Sequence, residues 1–499
     1  MNLNEPVSQD STTPDAALPP PKEAVAVAAT QHEPAGEKTD QPDLLVPMII
    51  GAALFIYTLD GTIISNALPS MAKAMGENPV TLDLAITSYM ISTAVFLPIS
   101  AWVADRFGAK TVLRAAIIGF GLSSVLCGLS QNLVELVGAR ILQGMAGAMM
   151  MPVGRLVILR SVPKSQLVQA MSYFTMPALL GPVLGPPLGG FIVTYWSWHW
   201  IFFINVPMAL LGALLVTLFV PEIHAEVKTK LDVQGFILTG CGLAGLVYGF
   251  SNLGHDVLPP AAVAAMLIGG GICIAFYVPY ARRTPHAILD LTLFKIPTFR
   301  ATLFGGLFSR FSISAVPFLM ALMLQLGFGL SALMAGLLTF STAIGALSMK
   351  AAAPPIIRRF GFRTVLIGNT FIIALLTAGN GFFRVETPLW LLTFVLLLGG
   401  FFRSLQFTAL NTFGYADVTQ PQMSRASSMA TMFQQLAQSI GVALSAIVVN
   451  LTLAANHNQA LSASSLTPAF LVIGLLSLGG LFFFLPLHPR AGDEISGHK

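Results

Sequence analysis

One carboxylate in this chain stands where a carboxylate is costly. Asp60 lies in the stretch Leu59-Asp60-Gly61-Thr62-Ile63-Ile64-Ser65-Asn66-Ala67-Leu68-Pro69, which closes an apolar run that begins near Val46. An acid at the centre of a hydrophobic helix costs roughly 2.5–3.5 kcal/mol or more, so such a residue marks a task. Of the 22 Asp and Glu residues, eight precede residue 44, and thirteen fall in expected loops or at the ends of apolar runs. Asp60 is the remaining one. The chemistry open to it is gain and loss of a proton. Arg140, in another apolar run, is the partner expected for it. Each lies seven or eight residues from the same end of its run, so about 10–12 Å deep at 1.5 Å per residue. Burial favours the neutral acid and a neighbouring guanidinium favours the carboxylate, so the two together set when the proton leaves. The other reading of the same pair is a fixed ion pair that ties two helices together.

Composition says what must surround these residues. The chain has 499 residues, 55% hydrophobic and 10% charged, with a mean hydropathy of +0.76. Soluble domains carry about 25% charged residues, so this chain has too few to cover a water-facing surface. Its 45 Gly and 32 Pro suit membrane helices, where small residues allow close approach and neighbours satisfy freed backbone groups. The apolar runs are continuous over about twenty residues, which excludes a transmembrane barrel. The fold class expected is an all-α multi-pass membrane protein. The net charge of +4 is scattered over short loops and makes no nucleic-acid footprint. Cys127, Cys241 and Cys273 all lie in apolar runs and act as small hydrophobes rather than disulfide partners.

In order, residues 1–44 are polar and are expected to form a disordered tail rather than a signal peptide. Fourteen spans follow. Six lie in 45–220, two with their linkers in 221–297, and six in 298–488; 489–499 is a second tail. With both termini inside, the inner segments hold 21 of the 26 Lys and Arg residues, and the outer loops hold two, Lys73 and Arg384. That bias supports the N-in, C-in topology. Arg140, Arg310 and Arg403 remain within spans. An internal repeat agrees. Asp105-Arg106-Phe107-Gly108-Ala109-Lys110-Thr111-Val112-Leu113 follows the second span, and Arg358-Arg359-Phe360-Gly361-Phe362-Arg363-Thr364-Val365-Leu366 follows the tenth. Two parallel six-span halves with an inserted helix pair account for it.

These residues resemble the major facilitator superfamily, and within it the fourteen-span drug:proton antiporters of the EmrB/QacA type. The likeness covers about residues 45–490. It rests on the Leu59–Pro69 signature, the Asp105–Lys110 loop, and Arg140-Ile141-Leu142-Gln143-Gly144-Met145-Ala146-Gly147. It rests also on Gly181 with Gly185-Pro186-Pro187-Leu188-Gly189-Gly190, then Trp198-His199-Trp200 and Ile204-Asn205-Val206-Pro207. The chain departs from the family pattern at Ala101 (usually Gly), Ala109 (usually Arg or Lys) and His199 (usually Arg), and its first-span Asn is displaced to Asn66. The resemblance implies two six-helix bundles plus two extra central helices. It implies proton-coupled efflux of hydrophobic or amphiphilic compounds, hence drug resistance, from a bacterial inner membrane. Asp60 and Arg140 would be the proton-coupling pair. Asp105, Arg106, Gly108 and Lys110 would form a cytoplasmic latch, and Gly181, Gly185, Pro186, Gly189 and Gly190 the antiporter motif.

For the substrate cavity, the candidates are Asn66, Gln143, Arg310, Gln406, Asn411, Gln434 and Gln435, with Phe and Met for an adaptable apolar wall. Arg403 is expected to snorkel to the inner interface. Partners expected are a small molecule, protons and lipid, with a monomeric chain and no cofactor, metal or nucleic acid. ATP is not expected, because Gly-Lys occurs nowhere and a P-loop is therefore absent. A transporter of one endogenous metabolite, anionic in view of the buried arginines, is a rival reading, as exporter or symporter. An intramembrane enzyme is a rival of another class. An aspartyl protease would need a second buried Asp, and the eight His are scattered.

Overall fold

The computed structural model describes residues 44–64, 67–77, 84–223, 230–253, 258–455 and 462–496. Among them every regular element is helical. Twelve helices are long and apolar enough to cross a membrane, and a bent pair makes a thirteenth span. In chain order the first eight spans begin with α1 (Leu45–Ile63) and α2, the bent pair Leu84–Phe96 and Ser100–Phe107. Then come α3 (Ala109–Leu129), α4 (Leu133–Ser161), α5 (Leu167–Tyr195), α6 (Trp200–Phe219), α7 (Val233–Asn252) and α8 (Pro260–Arg283). Next are α9 (Pro297–Gly327) and a continuous run over Ala332–Asn380. The last three are α12 (Leu389–Phe413), α13 (Met423–Ala455) and α14 (Ala463–Phe484).

The Ala332–Asn380 run is two helices. At 49 residues it would measure about 70 Å, more than twice the hydrocarbon thickness of about 30 Å. Gly361 breaks it at φ 72°, ψ 160°, leaving α10 (332–360) and α11 (362–380). Gly108 does the same between α2 and α3, at φ 92°, ψ 136°. The repeat seen in the sequence is thus one backbone device used twice, at a position where only Gly is comfortable. Fourteen spans are consistent with this division. The 60° bend in α2 falls at Pro98, which lacks the donor that would continue the helix and constrains the residue before it.

Of the inserted pair, α7 packs against α2 and α13, so it touches both halves. Tyr248 meets Thr87 at 3.5 Å, and Ser251 meets Ser439 at 3.4 Å. α8 packs chiefly on α7, and most of its surface is left for lipid.

Candidate functional site

Asp60 reaches its position because α1 lies in a groove of glycines. Gly181, Gly185 and Gly189 recur every four residues and so share one face of α5. A Cβ on Gly181 would sit 2.2 Å from Thr58 Oγ1, one on Gly185 2.2 Å from Thr62 Oγ1, and one on Gly189 2.5 Å from the Ile63 carbonyl. The Thr58 and Thr62 hydroxyls, two residues either side of Asp60, donate across the contact to the carbonyls of Ala178 (3.0 Å) and Gly181 (3.3 Å). With one face of α1 fixed, Asp60 points away from α5, into the N-terminal bundle. Gly190 is half-buried in the same helix, and the side chain of Pro186 lies outside the described residues.

There the carboxylate accepts three side-chain hydrogen bonds. Arg140 donates from Nη1 to Oδ2 at 2.7 Å; Gln143 (3.0 Å) and Asn205 (2.8 Å) both donate to Oδ1. Arg140 also donates to the Ala85 carbonyl (3.1 Å) and to Gln143 Oε1 (2.6 Å), and its guanidinium lies 4.2 Å from the centre of the Tyr89 ring. Ser124 accepts from Gln143 at 2.8 Å. Asp60 is 1% exposed and Arg140 0%. Five helices, α1, α2, α3, α4 and α6, therefore meet at one buried acid. Two buried polar atoms in the knot, Arg140 Nη2 and Asn205 Oδ1, have no partner.

Gln143 is therefore spent on Asp60 rather than turned toward a cavity. Gln406 is likewise taken up inside the C-terminal bundle, where it bonds Asn369, Ser309 and Thr370. Asn411, Gln434 and Arg310 are buried with polar atoms that lack partners, and Gln435 is half-buried. Asn66 lies outside the described residues. Arg403 does not reach an interface: it is 7% exposed, with its guanidinium beside Gly399 of its own helix. Two cations counted as loop residues in the sequence are instead deep in protein: Arg155 at 0% and Lys350 at 4% exposure.

The Lys- and Arg-rich end is closed by contacts between the halves. Asp105 pairs with Arg160 at 3.2 Å and accepts a hydrogen bond from Ser424 of α13. Ser100 bonds Ser428 at 2.6 Å, and Ser427 donates to the Pro152 carbonyl at 2.8 Å. Arg155 donates to Tyr415 (3.2 Å) and Thr431 (3.3 Å), and Lys350 to Thr175 of α5 (2.7 Å). Arg106 is exposed, and Lys110 is half-buried. In the outer loop, His199 stacks on Trp198 at 3.7 Å, and partial burial holds its imidazole below the usual range.

Residues 50–442 match the model of the Major Facilitator Superfamily. The chain belongs to the major facilitator superfamily. Its major facilitator relatives include proteins named "Putative multidrug resistance protein MdtD". The one from Pectobacterium atrosepticum is 38% identical over 403 residues, 81% of this chain and 86% of that protein. The one from Serratia proteamaculans is 38% identical over 401 residues, 80% and 84% of the two chains. Solved structures share the fold at low identity. The human organic anion transporter MFSD10 aligns with TM-score 0.60 at 16% identity, covering 89% of this chain and all of that one. The proton:xylose symporter XylE aligns with TM-score 0.62 at 15% identity, covering 90% and 96%. This major facilitator is a multi-pass membrane transporter that handles small molecules, and the Asp60 knot is built into its N-terminal bundle.

Proposed function

We propose that this major facilitator is a proton-coupled exporter of hydrophobic or amphiphilic compounds in a bacterial inner membrane, working by alternating access. The observation that carries the proposal is Asp60: a buried acid whose three partners come from α4 and α6. The guanidinium and two amides all donate to this carboxylate, in charge-assisted bonds that a proton on it would disturb. Protonation removes the charge that Arg140 pairs with and turns one oxygen from acceptor to donor, so the bonds from α4 and α6 must rearrange. Because α1 also holds α5 through the glycine groove, a change at Asp60 is passed to the helix that meets α10 across the bundle interface. With the Lys/Arg-rich end inside, the closed gate belongs to the state from which substrate leaves outward and protons enter. The relatives' printed names support the efflux reading.

A second reading has one observation in its favour. The pair is sealed at 1% and 0% exposure, which suits a permanent clasp between α1 and α4. The two part company in reconstituted protein. Substrate-driven dissipation of a pH gradient in proteoliposomes, lost in Asp60→Asn while the variant stays folded and inserted, supports coupling. Full coupling in Asp60→Asn leaves only the clasp.

A further inference from the structure

The proton knot leaves three buried cations at the bundle interface unexplained. Lys350 of α10 donates to two hydroxyls, Thr175 (2.7 Å) and Thr408 (2.8 Å). Arg155 of α4 has only the Tyr415 and Thr431 hydroxyls as partners, and its Nε and Nη2 have none. Arg310 of α9 is 2% exposed with Nε and Nη1 unpartnered, and its guanidinium borders the same side of Gly306 as Leu410 of α12. None of the three has a carboxylate within 4.0 Å among the described residues, where the ion pairs include Arg140–Asp60, Arg160–Asp105, Lys164–Glu494 and Arg425–Asp290. The one buried acid among the described residues, Asp60, is already held by Arg140.

The geometry of α12 binds these groups into one site. Thr408 and Asn411 are spaced i, i+3 and share a face of α12, and Tyr415 lies in the turn just past its end. Lys350 is anchored at Thr408 and Arg155 at Tyr415. Asn411, between them, has an amide nitrogen with no partner. The donors come from both halves, α4 on one side and α9, α10 and α12 on the other, at the seam where the halves meet. Phe407, 5.6 Å from the Lys350 ammonium, supplies apolar surface beside the charge.

Buried guanidinium and ammonium groups demand a counter-charge, and unspent donors demand acceptors. Among the described residues the chain supplies hydroxyls but no carboxylate here, and Nε and Nη2 of Arg155 and Nε and Nη1 of Arg310 keep no acceptor. We propose that Arg155, Arg310 and Lys350 form the substrate site and that it takes the anionic head (carboxylate, sulfonate or phosphate) of an amphiphilic molecule. The planar forks of the two arginines suit a two-oxygen acceptor, and Asn411 donates to a third. This rests on the export reading above and narrows its substrate class.

Equilibrium dialysis on the full chain in phosphatidylcholine nanodiscs tests it, with three probes that share a ring system: 2-naphthalenesulfonate, 2-naphthalenemethanol and (2-naphthylmethyl)trimethylammonium. The sulfonate is expected to bind at least about tenfold more tightly than either of the others, as a charge-assisted bond implies. Arg310→Gln and Lys350→Gln are each expected to weaken the sulfonate about tenfold while leaving the alcohol unchanged, with Arg310→Lys recovering part of the loss. If either Gln variant fails to fold, the other supplies the same readout. The proposal is overturned if no saturable sulfonate binding occurs, if the ammonium probe binds as well or better, or if the preference survives both Gln variants. Proton movement separates this from the export reading. An ammonium probe that binds and collapses a pH gradient removes the anion assignment and keeps coupling; a sulfonate that binds but moves no protons does the reverse.

Discussion

At Asp60, a single negative charge faces one guanidinium and two amide donors in a site closed to water. Removing one member of such a pair strands the other. Arg140→Met is expected to destabilise the protein by about 3–5 kcal/mol, because the carboxylate stays buried without its counter-charge. Asp60→Asn combined with Arg140→Met is expected to recover most of that loss, as read by thermal melting of purified protein in detergent. Additive melting shifts would show that the two residues do not act as a pair. The sequence made Asp60 and Arg140 visible, since both are charges in oil at matching depth. Asn205 was also open to view as the one amide in Trp200–Phe219, yet its role needed the fold, because nothing in α6 says which helix it faces. Arg155 and Lys350 were hidden for a different reason. Each sits near the end of its apolar run, where a cation normally reaches water, but both helices continue past them, α4 to Ser161 and α10 to residue 360.

At the level of helices, the α1–α5 contact sets where Asp60 can be. The Cβ of an alanine at position 181 would press on the backbone nitrogen of Leu59, 2.7 Å away, as well as on the Thr58 hydroxyl. Backbone cannot move aside as a side chain can. Gly181→Ala is therefore expected to cost about 1–3 kcal/mol and to weaken transport with it. Gly61→Ala, on the partner helix with nothing within 4 Å of the new Cβ, is expected to be neutral or slightly stabilising. Melting temperatures of the two variants check this, and equal losses would contradict the groove. The glycine spacing in the sequence announced close packing. It did not announce the partner, which comes from the threonines of α1. The bend in α2 was missed because hydropathy averages over Pro98, although that residue's missing donor is the cause.

Across the whole molecule, two bundles meet at one end. Ser100 and Ser428 stand with their hydroxyls 2.6 Å apart across that seam. A Ser100→Cys, Ser428→Cys pair is expected to oxidise to a disulfide and to halt transport, and reductant is expected to restore it. Failure of the pair to cross-link under oxidation would mean that the gate is open in the resting protein. The two-bundle plan was legible from the repeat around Gly108 and Gly361, because a positive φ needs Gly wherever the plan is reused. The bridging position of α7 was not, since its few polar residues, Tyr248 and Ser251 among them, do not say in the sequence which helices they meet. The most direct measurement is substrate-driven pH-gradient dissipation in proteoliposomes holding wild-type or Asp60→Asn protein at equal density. Dissipation by the wild type, with at least a tenfold loss (about 1.4 kcal/mol in a rate barrier) in a folded Asp60→Asn, is the expected result. Undiminished dissipation in Asp60→Asn would contradict the account.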